Sequence, residues 1–316
     1  MITVVKAPAY LTVQDRGRTY GRAAGVPSGG AMDMFAISAA NVIVGNDAGA
    51  AGLEWALGGG SIRFERDCAF ALAGARVEAS LDGKVVAPCT TAHAGAGSVL
   101  SVGQFVSGRF LYVAVSGGID VPILMGSKST YLPAHFGGYE GRRLKSGDTI
   151  PLGPETNPRP EAGLHCAADL MPPYDGGIVH VTSGTNERMF DEAAWSVFTE
   201  SAYRVTAASD RTGYKLEGSR IGNPVGTLPS EAGCPGTIQV PGDGLPIALM
   251  ADAPTVGGYP KIAVVSEADL PILAQRRPGE SVRFELIGIE QSQRASRRRA
   301  ADLQAISLLA SRGKRT

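Results

Sequence analysis

The densest group of chemically capable side chains lies near the start of the chain. It reads Gln14-Asp15-Arg16-Gly17-Arg18, followed by Gly25-Val26-Pro27-Ser28-Gly29-Gly30-Ala31-Met32-Asp33. An arginine can hold a carboxylate or carbonate in a bidentate fork. Ser28 together with the free amides of a helix N-terminus would make an anion or oxyanion site. Asp33 falls in the first turn of that expected helix, where a carboxylate complements the helix dipole. A structural role also stays open, with Asp15 and Arg16 or Arg18 simply bracing a turn. The second half repeats the style with Ser209-Asp210-Arg211-Thr212-Gly213-Tyr214, then Ser230-Glu231, Gln239, Asp252 and Gly257-Gly258-Tyr259-Pro260-Lys261. Paired glycines before Tyr-Pro-Lys allow a close backbone approach. Lys261 could bind an anion there or solvate a strand end.

Several chemistries have no motif. Gly126-Ser127-Lys128-Ser129-Thr130 has the residue types of a phosphate loop, but the spacing before it is wrong. No G-x-S-x-G elbow is present, nor the Gly-Ser-rich pattern of amidases with a Ser-Ser-Lys triad. Cys68, Cys89, Cys166 and Cys234 form no CxxC pair, and the four histidines lack ligand spacing, so no metal site is expected. Ala31-Met32-Asp33-Met34 differs from the biotin-carrier sequence Ala-Met-Lys-Met by an Asp where the acylated lysine would stand, so no covalent biotin is expected here.

These residues sit in a chain of 316 with 42 Gly and 20 Pro, and 44% hydrophobic residues. That composition implies many turns and few helices; it excludes collagen and argues against disorder. Thirty basic side chains balance 30 acidic ones, which argues against nucleic acid as a partner. From Arg294 onward, however, seven Lys/Arg face one Asp, as in a solvated terminal helix or a basic docking arm. No signal-like N-terminus or run long enough to span a bilayer is seen, so a cytoplasmic location is expected.

Short β-type runs recur: ITVV, SIRF, AFALAG, VEASLDGKVV, FLYVAVSGG and DTIPLG, then IVHVTSG, YRVTAAS, TIQV, PIALMAD, KIAVVS and SVRFELIG. Asp82-Gly83 suits a tight hairpin turn. Helices are expected over Met32–Val44 and over Asn186–Phe198 with Thr185 as cap, plus a short one after Ser266. Residues 131–153 and 269–288 resemble each other weakly, which suggests two similar β-rich halves. The reading is a mainly β fold with few short helices, built as two β-barrel-like halves. Residues 1–155 form the first domain and 156–175 a Pro-rich linker. Residues 176–290 form a second barrel and 291–316 a basic helix or tail.

Taken in order, QDRGR, GVPSGGAMD with AANVIVGN, LEWALGG, VSGGIDVP with GSKST, GGYEGR, SDRTGYKLEG, PGTIQVPGDG and ADAPTVGGYPKIA resemble one family. It is the family of the 5-oxoprolinase C subunit, or allophanate hydrolase subunit 2, also called the biotin-dependent carboxyltransferase family. The likeness runs from about residue 2 to 288. Ala253-Pro254, Pro229-Ser230 and Lys128 depart from the family's usual residues. The resemblance implies cyclophilin-like barrels and a partner like the 5-oxoprolinase B subunit. One branch implies an ATP-driven opening of the 5-oxoproline lactam to glutamate, with a third, lactam-opening subunit. Another implies transfer of a carboxyl group to urea from carboxybiotin carried elsewhere. A third reading is a regulatory subunit that antagonises a kinase-inhibitor-like partner and performs no chemistry. Each enzymatic branch must stabilise negative charge on a small planar amide or carboxyl group. Gln14, Asp15, Arg16, Arg18, Ser28, Asp33 and Lys128 are therefore the expected catalytic residues. Ser129, Thr130, Ser230, Glu231, Gln239 and Lys261 are expected to bind substrate, all lining one polar groove. The chain alone is expected to be inactive.

Overall fold

A computed structural model describes residues 1–155, 160–222 and 228–312. The chain divides into two compact units. One comprises Met1–Thr19, Gly29–Met171 and Ala301–Thr316; the other comprises Tyr20–Ser28 and Pro172–Ala300.

The first unit is built on one nine-stranded sheet. Its elements are β1 (Ile2–Lys6), β2 (Tyr10–Gln14), α1 (Met34–Ile43), β3 (Gly52–Ala56), β4 (Gly60–Phe64), β5 (Cys68–Leu81), β6 (Lys84–Val85), β7 (Ala92–Ala94), β8 (Val99–Val115) and β9 (Thr149–Ile150). The main path runs β2-β3-β8-β4-β1-β9, and β5 pairs with β6, β7 and β8. Two of the expected short runs join into longer strands. AFALAG and VEAS are one 14-residue strand, and FLYVAV is the end of a 17-residue strand. The register between them shifts at Gly74/Arg76 and again before Ala79, which lets these long strands bend. The expected hairpin forms with Leu81 opposite Lys84, and Asp82 and Gly83 take the two positive φ values that a primed turn requires.

In β4, Ile62 and Phe64 point into the core while Ser61 and Arg63 are partly exposed, the alternation of a half-buried strand. β2 and β3 are buried along their whole length. α1 is buried from Phe35 to Ile43 and packs on β5 and β8. A helix that is apolar on nearly every side suits that position. Trp55, Phe64 and Phe70 fill the core, with the two phenyl rings 5.0 Å apart. Within the expected linker, residues 156–159 lie outside the described residues. Further along it, the Thr91 amide donates to Leu164 and the Cys166 amide to Cys89, both at 2.9 Å.

The second unit contains a closed barrel. Its elements are β10 (Ile178–Ser183), α2 (Glu192–Glu200), β11 (Ala202–Val205), β12 (Gly213–Glu217), β13 (Glu231–Ala232), β14 (Thr237–Gln239), β15 (Ile247–Leu249), β16 (Val256–Gly257), β17 (Lys261–Val265), α3 (Leu270–Ala274), β18 (Ser281–Leu286) and the start of α4 (Ile289–Arg312), whose residues from Ala301 onward belong to the first unit. The barrel order is β10-β17-β14-β15-β12-β11-β18, and a parallel pairing of β10 with β18 closes it. Closure removes sheet edges that would otherwise need covering. β13 and β16 form a separate two-stranded ribbon. Phe198 of α2 stacks on Phe284 of β18 at 4.9 Å, and both pack near Tyr203.

The second helix differs from its expected span. It begins at Glu192, capped by Asp191, whose carboxylate accepts the Ala194 amide at 2.8 Å. Residues Glu187–Met189 form a 3-10 turn instead. The reason lies in Asn186, whose side chain is used elsewhere, as described below. The basic segment from 291 continues α4 to Arg312, and residues 313–316 lie outside the described residues.

Candidate functional site

In the first unit, Asp15 follows β2 and is a hub. One of its oxygens accepts the Ser127 hydroxyl at 2.6 Å, the Gly17 amide at 2.7 Å and the Ser129 hydroxyl. The other accepts the Lys128 amide at 2.6 Å. Asp15 therefore ties the Gln14–Arg18 motif to the Ser127–Thr130 motif, more than 110 residues away. Thr130 completes the join, giving both its amide and its hydroxyl to the Val13 carbonyl at 3.0 Å. Gln14 donates to Thr12 at 3.0 Å and to the Thr130 carbonyl at 3.2 Å, while its fully buried Oε1 has no hydrogen-bond partner among the described residues.

Arg18 is buried, donates to the Ser129 carbonyl and lies 4.6 Å from the centre of the Phe136 ring. The GGYEG loop is what permits this closeness. A Cβ at Gly137 would meet the Ser129 carbonyl, and one at Gly138 would meet the Thr130 hydroxyl. Lys128 reaches outward to the Ile119 carbonyl at 3.0 Å and to Asp120 at 3.1 Å. Arg16 is exposed, with its guanidinium 3.4 Å from the Ser38 hydroxyl of α1. Of the cationic groups in this cluster, Arg16 and Lys128 are the ones with solvent access.

Asp33 is fully buried and caps α1 through the Ala36 amide at 2.9 Å. Its own amide donates to the Tyr112 hydroxyl at 2.8 Å. Tyr112 in turn donates to Glu54 at 2.8 Å, and Glu54 also accepts the Met32 amide at 2.8 Å and the Tyr10 hydroxyl at 3.2 Å. Burial pushes the Tyr112 phenol well above its ordinary range, and the Glu54 carboxylate adds to that shift. The network continues through Thr12 to Gln14. A buried chain of hydrogen bonds thus links the helix-opening loop to the Asp15 cluster. The sequence does not mark Glu54, because it stands between Leu53 and Trp55 in an alternation that ordinarily places a polar residue in solvent. Here both faces of β3 are covered.

The remaining expected residues lie in the second unit. Ser28 accepts from Arg22 at 3.2 Å, and Arg22 also donates to the Gly233 carbonyl. Lys261 is buried and binds Glu231 at 3.1 Å. Asn186 donates to both oxygens of Glu231 at 3.3 and 3.4 Å and accepts the Lys261 amide at 3.0 Å. The Lys261 ammonium, aided by Asn186, holds the Glu231 carboxyl below its usual range. Gln239 and Ser230 flank the Gly257-Gly258 pair. A Cβ at Gly257 would stand 2.7 Å from the Gln239 amide nitrogen, and one at Gly258 would stand 3.8 Å from the Ser230 hydroxyl. Asn186 is a member that the sequence reading gave to a helix.

The Asp-Arg echo has a shared geometry. Asp15 accepts the amide two residues on, at Gly17, and Asp210 does the same at Thr212. Both are Asx turns. Arg211 then forms a buried bidentate pair with Asp252, with both contacts at 2.9 Å. No group of three His, Cys, Asp or Glu that could hold a metal occurs among the described residues. No helix among them is long and apolar enough to cross a membrane.

The thirteen expected residues fall into two clusters, one within each unit. Each combines a buried hub with Gly-rich backbone and at least one cation, which suits recognition of a small anion or polarised carbonyl. The chain also resembles known proteins. The chain is 40% identical to the 5-oxoprolinase C subunit of Escherichia coli over 296 residues, covering 93% of this chain and 94% of that protein. It is 33% identical to urea amidolyase of Lachancea kluyveri over 304 residues, but spans only 16% of that longer chain. Among solved structures, the Kluyveromyces lactis urea amidolyase matches 96% of this chain with a TM-score of 0.89 and 28% identity, and this chain spans 20% of it. The model of the carboxyltransferase domain, subdomains A and B, matches residues 24–286. With that match over most of its length, the chain belongs to the biotin-dependent carboxyltransferase family.

Proposed function

We propose that this chain is one component of a cytoplasmic, heteromeric, ATP-dependent 5-oxoprolinase that opens the 5-oxoproline lactam to glutamate. It would work with a partner resembling the 5-oxoprolinase B subunit, together with a third, lactam-opening subunit. The observation that carries this reading is the 40% identity to a 5-oxoprolinase C subunit over nearly the full length of both chains. Opening a lactam places negative charge on its carbonyl oxygen, and the substrate carries a carboxylate besides. Cations on preorganised supports serve both needs. In this reading Arg16 and Lys128 are the groups offered to the substrate, because they are the accessible cations on the Asp15-braced scaffold. Gln14, Asp15, Arg18, Asp33, Ser129 and Thr130 hold that scaffold. Ser28, Ser230, Glu231, Gln239 and Lys261 serve the substrate through the second unit.

The test is to co-purify the chain with its partners and measure ATP hydrolysis dependent on 5-oxoproline. Turnover is expected only in the full complex. Turnover by this chain alone, or none in any combination, would overturn the reading. Arg16→Ala should lower complex activity at least tenfold while leaving the far-UV circular dichroism and melting temperature unchanged. Normal turnover in that variant would remove Arg16 from the site.

A second reading, carboxyl transfer to urea from carboxybiotin supplied by another chain, is favoured by the fold likeness to urea amidolyase and urea carboxylase. This chain would then be an acceptor of carboxybiotin. Asp33 stands at the only position resembling a biotinylated lysine and is a buried helix cap. Urea-dependent bicarbonate consumption in a complex with a biotin carrier would select this reading over the first.

A further inference from the structure

A concavity of about 360 Å³ lies wholly in the barrel unit, where β10, α3 and α4 meet. Strand alternation sends Val179 and Val181 into the barrel core and leaves Ile178 and His180 on the outer face. Asp269, at the end of the turn before α3, accepts both N–H groups of His180. Its Oδ2 is 2.6 Å from the ring Nδ1 and 2.8 Å from the backbone nitrogen. Asp269 is buried, so it fixes the imidazole and turns the opposite ring edge away from itself. From α4, Ala295, Arg298 and Arg299 line the same space, at the i, i+3 and i+4 spacing of one helix face.

The opposite wall is fixed as firmly. Arg276 is buried and donates to the carbonyls of Tyr174, at 2.8 Å, and of Gly176. The Arg283 amide adds a bond to Gly177 at 2.8 Å. The cavity thus has a rigid apolar floor of Ile178, Ile272 and Ala268, and a rim carrying two guanidinium groups and an oriented imidazole. Ile178 stays 48% exposed, an apolar side chain at the mouth of the pocket. Asn186, Glu231 and Lys261 meet beyond the other end of β10, so this pocket shares no residue with the clusters described above.

We propose that this pocket binds a small organic acid: a compact apolar body carrying one carboxylate or phosphate head. The head is held by Arg298 at the rim, beside the fixed His180 ring, and the body rests on Ile178 and Ile272. Guanidinium forks match either head.

The test uses the full chain, with benzoate, phenyl phosphate and neutral benzyl alcohol as probes. Binding is read by the imidazole NMR signals of His180 and by calorimetry. Saturable shifts of His180 with at least one anion, and none with benzyl alcohol, are expected. The stronger of the two anions identifies the head. Arg298→Gln, at an exposed helix position, should weaken that binding at least tenfold. Ala295→Trp should abolish it by filling the space. The proposal is overturned if neither anion shifts His180 up to about 10 mM, a Kd range that already corresponds to under ~3 kcal/mol. It is equally overturned if Arg298→Gln, with circular dichroism unchanged, binds as the parent does.

Discussion

At the residue scale, the carboxylates in the family motifs divide into supports and partners. Asp15 spends its two oxygens on four donors from two segments of chain. Replacing it by alanine leaves those buried donors without an acceptor, each at a cost of about 1–3 kcal/mol before relaxation. Asp15→Ala is therefore expected to lose about 3 kcal/mol or more of stability, measured by urea unfolding. A loss under about 1 kcal/mol would show that the hub is dispensable. Glu231 behaves differently, because its partner Lys261 is itself buried on one side of the pair. Lys261→Met should raise the Glu231 pKa toward the ordinary carboxylate value, as followed by carbon-13 NMR of the side chain. An unmoved titration would mean that Asn186 and not Lys261 sets the carboxylate's charge.

At the element scale, the site depends on loops that approach each other too closely for side chains. Gly138 has a positive φ, and a Cβ there would fall on the Thr130 hydroxyl. Gly138→Ala must distort either the GGYEG loop or the Ser127–Thr130 segment beneath it. A melting temperature lowered by several degrees is expected, as for about 1–3 kcal/mol in a domain of this size. Faster amide hydrogen exchange at Ser129 and Thr130 should accompany it, whereas Gly83→Ala, in the exposed hairpin, should leave those amides protected. The same logic explains why glycine is abundant in this chain. Much of it sits where loops stack on loops, and Gly30 against the Arg16–Gly17 peptide is another instance.

For the whole molecule, acid stability follows from the ion pairs. Asp148 accepts both terminal nitrogens of Arg142, at 2.6 and 2.9 Å, and the Lys145 amide at 2.7 Å. Arg142 holds its carboxyl below the usual range, as Lys261 does for Glu231. A carboxyl whose folded-state pKa lies below its unfolded value, about 3.9 for Asp and 4.3 for Glu, stabilises the fold fully above that value. The contribution fades as pH falls through the folded-state pKa. Stability should therefore be flat from about pH 5 to 7 in these terms and decline below about pH 4. Asp148→Asn should flatten the decline, measured as urea midpoint against pH. An unchanged slope would show that other carboxylates dominate acid unfolding.

The sequence by itself determined most of the strands, though not β2, β3, β7, β12, β13 or β16, together with the Asp82-Gly83 hairpin, the mainly β class and the family. Those depend on local patterns and on motif order, which a linear reading preserves. It did not reveal that Asp15 is a scaffold hub, that Glu54 is buried on a strand covered on both faces, or that Asn186 leaves its expected helix to hold Glu231. It also placed Ser28 with Arg16 and Arg18, whereas residues 20–28 cluster with the barrel unit. Each of these turns on hydrogen bonds between residues tens to more than a hundred positions apart. Asp15 meets Ser127, Gln14 meets Thr130, and Asn186 meets both Glu231 and Lys261. Local propensity carries no record of such partners. The tertiary structure decided them because a buried polar group must find a donor or acceptor wherever the fold supplies one.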